Sequence, residues 1–297
     1  MPIHLTSRRQ FITQMGAAAV LAHSSAGAAE VDENLIAILN DTHVGGKHPP
    51  NASIPTHLRE TVAWLVALPK RPAAVIINGD LALNNGQPDD YTHFASLIAP
   101  LREAGMPVHL SMGNHDDRDV FYEVLTAEKP ANAAVASKHV GVVQTAKANL
   151  FLLDSLKARM VAQGLLGEEQ LAWLGKALDA HADKPALVFA HHNPRLGGEE
   201  RHFPGGLEDS QPLWELLAAR PHVKAYIHGH IHHRDFFNHR GIHIINTPAT
   251  SFVANPKEST TGWTMASLSA TGGSFITYTH LPEHAWNGAK VDLKWRT

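Results

Sequence analysis

The 297-residue sequence predicts an α/β fold, and three observations carry that prediction. Short apolar runs alternate with segments whose apolar residues recur at helical spacing, as strands joined by crossover helices do. Five of those runs stop at a polar cluster rich in Asp, Asn and His, as expected where strands end on the edge of a sheet that carries the chemistry. A hydrophobic fraction of 44% with 18% charged residues suits a chain that buries one substantial core.

Leu35 to Leu39 is the first apolar run, and it ends at Asn40-Asp41-Thr42-His43. Pro55 to Leu68 follows with Leu58, Val62, Leu65 and Val66 on one helical face. Ala73 to Ile77 is the next strand and stops at Asn78-Gly79-Asp80; Tyr91 to Leu101 is helical; Val108 to Met112 is a third strand, closed by Gly113-Asn114-His115-Asp116. Glycine at that strand end is expected to let the chain turn sharply. In the second half Leu150 to Leu153 is a strand, Glu168 to His181 a helix, and Ala186 to Ala190 a strand running into His191-His192. Gln211 to Ala219 is helical, and Val223 to Ile227 is a strand that stops at His228-Gly229-His230-Ile231-His232-His233. Asp235 to Asn238, Ile242 to Asn246, Trp263 to Leu268 and Phe275 to Thr279 alternate with turn residues and read as an antiparallel β tail.

Side chains able to bind metal therefore stand at five strand ends: Asp41 and His43, Asp80, Asn114 and His115, His191, and His230 and His232. Any one cluster is compatible with an ordinary turn, since turns favour Gly, Asn and Asp. Five in succession point to a shared metal cleft. Residues two apart on an extended segment point the same way, so Asp41 with His43, and His230 with His232, are each expected to form a two-toothed clamp.

With 22 histidines against 25 lysines and arginines, imidazole is unusually abundant, and no dense cationic patch suggests a nucleic-acid surface. Cysteine is absent, which removes disulfides and thiolate nucleophiles. Thr6-Ser7-Arg8-Arg9-Gln10-Phe11-Ile12, an apolar run from Met15 to Ala22 and small residues up to Ala29 resemble a twin-arginine export signal; the alternative is an amphipathic first helix. The expectation is a signal over residues 1–28, one domain over 29–297, a partnership with the twin-arginine translocation machinery during export, and a periplasmic or secreted product. Cleavage would leave 23 basic against 28 acidic residues, a net of −5. The apolar run is too short to remain as a membrane anchor.

In order, the blocks Asp41-Thr42-His43, Gly79-Asp80, Gly113-Asn114-His115-Asp116, His191 and Gly229-His230-Ile231-His232 resemble those of the calcineurin-like metallophosphoesterases, over roughly Leu35 to Thr250. The resemblance implies a four-layer α/β/β/α sandwich with mixed sheets. It further implies one metal held by Asp41, His43, Asp80 and His232, and another by Asp80, Asn114, His191 and His230. Such a pair would be Fe, Mn, Zn or Co, given nitrogen and oxygen ligands. The implied reaction is hydrolysis of a small-molecule phosphate ester, a phosphodiester before a phosphomonoester, by attack of a metal-bridging hydroxide. His115, outside the implied ligand sets, is the candidate acid for the leaving oxygen. Asp116 either orients that ring or caps a helix, and Arg118 and Arg195 either bind phosphate oxygens or are solvated surface groups.

Two stretches depart from the family pattern: Leu81-Ala82-Leu83-Asn84 after the Gly-Asp block, and His192-Asn193-Pro194 after His191. Both are expected where substrate is contacted, as is the Gly-rich, charged loop from Arg195 to Gln211. In motif detail the chain looks most like the cyclic-nucleotide phosphodiesterase branch. A non-catalytic metal- or ligand-binding protein is the competing reading; ligands standing singly at strand ends, together with His115, favour catalysis.

Overall fold

The computed structural model describes residues 30–196 and 205–297. The segment read as an export signal lies outside them, as does the middle of the loop from Arg195 to Gln211. In chain order the elements are β1 (Val31–Leu39), α1 (Ser53–Val66), β2 (Arg71–Asn78), α2 (Pro88–Glu103), β3 (Val108–Ser111), α3 (Arg118–Val124), β4 (Gly141–Gln144) and β5 (Asn149–Leu152). There follow α4 (Glu168–Ala180), β6 (Ala186–Phe189), α5 (Ser210–Ala218), β7 (Val223–His228), β8 (Asp235–His239), β9 (Ile242–Asn246), β10 (Gly262–Leu268), β11 (Gly272–Thr279) and β12 (Lys290–Lys294).

Two six-stranded sheets form, ordered β12-β11-β10-β1-β2-β3 and β4-β5-β6-β7-β9-β8. The two-residue period of a strand explains the layers. In β1, Ile36 and Ile38 join Leu187, Phe189, Ala225 and Ile227 in the core between the sheets. Ala37 and Leu39, on the opposite face, pack with Leu58 and Val62 of α1 and Phe94 of α2. The second sheet repeats this: Phe151, Val188 and Tyr226 turn outward onto Leu174 of α4 and Leu213 and Trp214 of α5. Helices thus cover both outer faces, and the α/β/β/α sandwich with mixed sheets follows from strands that are apolar on both sides. Each fully buried Leu or Ile contributes about 1.5–3 kcal/mol to that packing.

What positions the site is the central strands' direction. β1, β2 and β3 are parallel neighbours, registered Ile38 with Ile76 and Ile77 with Leu110. β6 and β7 are parallel neighbours in the other sheet, registered Val188 with Tyr226. The carboxyl ends of β1, β2 and β3 lie on one edge of their sheet, those of β6 and β7 on one edge of theirs, and Asn78 ties the edges together. Its amide nitrogen donates to Ala190 O at 3.0 Å, and Ser111 Oγ donates to its side-chain oxygen at 2.8 Å.

The expected antiparallel β tail is divided between the sheets. β9 pairs parallel with β7 and antiparallel with β8, whereas β10 crosses over to lie antiparallel to β1. Apolar alternation gives a strand but not its partner, so the pattern alone does not reveal the split. Three elements carry weak patterns and are additional to the sequence expectation: the short α3, the half-exposed β4, and β12, whose residues alternate between exposed and half-buried at a sheet edge.

Candidate metal centre

All five strand ends converge. Asp41 Oδ1 lies 3.2 Å from His232 Nε2, 3.8 Å from His191 Nε2 and 3.9 Å from His43 Nε2. Asp80 Oδ2 lies 3.2 Å from His191 Nε2, 3.7 Å from His43 Nε2 and 4.0 Å from His115 Nε2. Two groups result, Asp41-His43-Asp80-His232 and Asp80-His191-His230, each with its ligand atoms within 4.8 Å of one another, and Asp80 is in both. Asn114 is buried beside them in the chain segment whose next residue, His115, donates its backbone N–H to Asp80 Oδ1 at 2.9 Å.

The clamps do not arise from extended backbone. Asp41, His43, Asp80, His230 and His232 have φ of 50°, 44°, 48°, 69° and 48°, the left-handed region that costs a non-glycine residue roughly 1–2 kcal/mol. Five such residues at one place mark strain concentrated at a functional site. Cross-strand bonds hold them there: Asp41 N–H donates to Gly79 O (3.1 Å), His43 N–H to Asp80 O (3.0 Å), and His230 N–H to Asp41 Oδ2 (3.1 Å). The left-handed twist at alternate residues aims both side chains of each pair inward.

Gly113 serves close approach rather than turning, for its φ is not positive. A Cβ there would stand 2.1 Å from Asp80 Oδ1 and 2.4 Å from Asp80 N, too near for any side chain.

Charge balance at the cleft is carried by imidazoles. Burial raises the Asp41 carboxyl, yet the His232 and His191 rings outweigh it and hold it at about 2. Burial lowers His191, and Asp80 and Asp41 overcome that and push it up to about 9. His232 is raised in the same way by Asp41, while burial takes His43 down to about 4 and His230 to about 3. Two buried carboxylates thus demand positive charge, and among the described residues their ion-pair partners are histidines. Asn114 Oδ1 is also buried and makes no hydrogen bond. A cation fits this donor set of imidazole nitrogens with carboxylate and amide oxygens, which suits first-row transition ions.

The profile of the Calcineurin-like phosphoesterase family matches residues 35–234. The chain belongs to that family. Glycerophosphodiester phosphodiesterase GpdQ of Enterobacter lignolyticus (strain SCF1) is 30% identical over 219 residues, which are 73% of this chain and 77% of that protein. The 3',5'-cyclic adenosine monophosphate phosphodiesterase CpdA of Vibrio vulnificus (strain CMCP6) is 30% identical over 205 residues, 67% of this chain and 71% of that one. Among solved structures, a dimetal phosphatase from Danio rerio superposes with a TM-score of 0.68 at 13% identity, covering 88% of this chain and 98% of that chain. Both of these sequence relatives of this calcineurin-like phosphoesterase are phosphodiesterases by name.

Several expectations about neighbouring residues are corrected by this family member's geometry. Asp116 neither orients His115 nor caps α3. Its carboxylate accepts the backbone N–H groups of Leu81, Ala82 and Gly113 and the Tyr91 hydroxyl, and burial followed by Asp80 raises it to about 7. The cap of α3 is Asp117, which accepts from Asp119 N and Val120 N. Arg118 is held within the protein, where it forks onto the fully buried Asp154 and donates to Leu156 O. Arg195 is exposed, as a surface group would be.

The two departures from the family pattern also prove to be supports. His115 Nδ1 lies 2.9 Å from Leu83 O, so its N–H donates there and Nε2 faces the cleft. His192 is fully buried, with Nδ1 2.8 Å from Ser155 Oγ and its ring 4.5 Å from that of His230.

Sequence reasoning missed Asn40, which donates to Asp41 Oδ2 at 2.7 Å and to Pro248 O at 3.0 Å. It also missed Phe252, whose ring meets the His43 and His232 rings edge-on at 5.2 and 5.5 Å. An Asn directly before Asp41 was a visible signal; nothing in the pattern marked Phe252, which arrives on the crossover from β9 to β10.

Proposed function

We propose that this protein hydrolyses phosphate esters, phosphodiesters before phosphomonoesters, using two transition-metal ions. Asp41, His43, Asp80 and His232 would hold one ion, and Asp80, Asn114, His191 and His230 the other. The observation that carries this reading is that Asp80 belongs to both groups of metal-competent side chains. When bound, such ions activate water and neutralise the phosphoryl oxygens.

The chain's own residues do the rest. Asp80 supplies the shared negative charge without which neighbouring cations repel. His191, pushed up to about 9 by Asp80 and Asp41, would give up a proton on becoming a ligand, and His232, raised by Asp41, would add to that, so metal uptake is expected to release acid. His115, fixed by Leu83 O, keeps Nε2 available to deliver a proton to the departing oxygen. The names of GpdQ and CpdA support diesters as substrates. A panel of nitrophenyl diesters, nitrophenyl monoesters and cyclic nucleotides, given to metal-loaded protein, tests the assignment; turnover of the diesters is expected to be fastest. No turnover by protein carrying two ions per chain would leave a metal-binding protein on this fold.

We also propose export by the twin-arginine route to the periplasm or beyond. The support is the paired Arg8-Arg9 and the apolar, small-residue run that follows, all outside the described residues. Protein recovered from its native host is expected to begin near Ala29 by mass spectrometry. Intact Met1 on cytoplasmic protein, with Arg8→Lys plus Arg9→Lys changing nothing, would overturn it.

A further inference from the structure

A cleft of about 530 Å³ adjoins the metal centre, and Phe252 is a wall of both. Its volume lies in the range of small-molecule sites. Ile54 and His57 of α1, Val253, His280 and Leu281 are among its other walls, with polar Ser and Thr side chains between them. Four large hydrophobic side chains stand exposed among the described residues, and two of them, Phe252 at 38% and Leu281 at 44%, border this one cleft. Exposed apolar side chains gathered in a concave site mark a binding surface.

The cleft is also rigidly built. The His57 and His280 rings stack at 4.2 Å and 11°, His280 Nε2 donates to His57 O at 3.0 Å, and His280 Nδ1 meets Thr261 Oγ1 at 3.1 Å. Ser251 N–H donates to Asp41 O at 3.4 Å, tying the strand of chain that carries Phe252 to the ligand loop itself.

From this geometry we infer that the cleft is a subsite for a planar aromatic ring carried on the phosphate ester, with Phe252 as the ring's stacking partner. The inference rests on the phosphate-ester reading above and names the substrate group that reading leaves open. A substituent on phosphorus at the His43 and His232 side meets Phe252 first and continues along its face into the cleft. Flat rings recover both burial and offset or edge-on stacking there, which a saturated group of equal size does not.

The test uses non-hydrolysable probes, so that it does not depend on turnover: phenylphosphonate against cyclohexylphosphonate, measured by calorimetry on metal-loaded protein. Wild type is expected to bind the phenyl compound about tenfold more tightly. Phe252→Ala should bind the two alike, and Phe252→Tyr should restore the preference, with metal content checked in each. The methylenephosphonate analogues of adenosine 5'-phosphate and of ribose 5-phosphate, run in parallel, tell a heterocyclic base from a simple aryl group. Equal binding of the phenyl and cyclohexyl compounds by wild type, or a preference that survives Phe252→Ala, overturns the inference. If nitrophenyl esters are hydrolysed while the two phosphonates bind alike, the phosphoesterase reading stands and only the subsite falls. Tight, Phe252-dependent phenyl binding without any ester turnover would keep the subsite and sink the hydrolase.

Discussion

Asp80→Ala is expected to abolish the two-ion stoichiometry of the purified protein and to slow phosphodiester hydrolysis by on the order of 10³-fold or more. Metal ions contribute several kcal/mol of charge stabilisation to such a transition state, and each 1.36 kcal/mol is a factor of ten. The expectation is this large because Asp80 acts on both groups at once. Its carboxylate is within 4 Å of His43, His115 and His191, and it also accepts the His115 N–H that positions the Asn114 segment. Loss of the carboxylate therefore removes a ligand from each set and the charge that both share. Asp80→Asn separates those effects, since it keeps an oxygen and the shape while deleting the charge. Elemental analysis after metal supplementation reads the stoichiometry directly: about two ions per chain for wild type and fewer for both variants. An unchanged count of two in Asp80→Ala would sink the shared-carboxylate assignment.

How much of this centre can be read in the sequence depends on which physical rule each residue obeys. Strand ends bearing Asp41, Asp80, Asn114, His191 and His230 are visible because apolar runs of four or five residues stop abruptly at polar ones. That five ends belong to two sheets is not visible, because pairing between distant strands leaves no local mark; Asn78, which bonds across to Ala190, reads as a turn residue. Spacing by two marks the clamp residues but gives the wrong backbone for them, since Asp41 and His43 have left-handed φ values and are held by bonds to Gly79 and Asp80, some forty residues along. Asp116 shows the same limit. Its neighbours in sequence suggest a cap or an orienting role, while its partners Leu81, Ala82 and Tyr91 come from β2's exit loop and α2. Phe252 is the extreme case, a side chain whose significance lies entirely in where the β9 to β10 crossover passes.

His115→Ala is expected to keep both metals and yet slow hydrolysis by roughly 10²–10⁴-fold, the usual worth of a positioned proton donor. The structure gives this residue a different setting from the histidines around it. It is partly exposed, its Nδ1–H is committed to Leu83 O, and it belongs to neither group of metal-competent side chains. Its Nε2, 4.0 Å from Asp80 Oδ2, is thereby directed to the cleft, where on the proposed reading a proton on that atom would pass to the departing oxygen. The loss should shrink for nitrophenolate, which leaves without help, and grow for a sugar or alcohol oxygen, which leaves only once protonated. His191→Ala and His230→Ala provide the contrast: each should lower metal content together with rate, because each removes a proposed ligand. Measuring metal content and rate side by side, on activated and unactivated diesters, therefore distinguishes a proton donor from a ligand. Equal slowing on every leaving group would strip His115 of the acid role, and loss of metal from His115→Ala would move it into the ligand set.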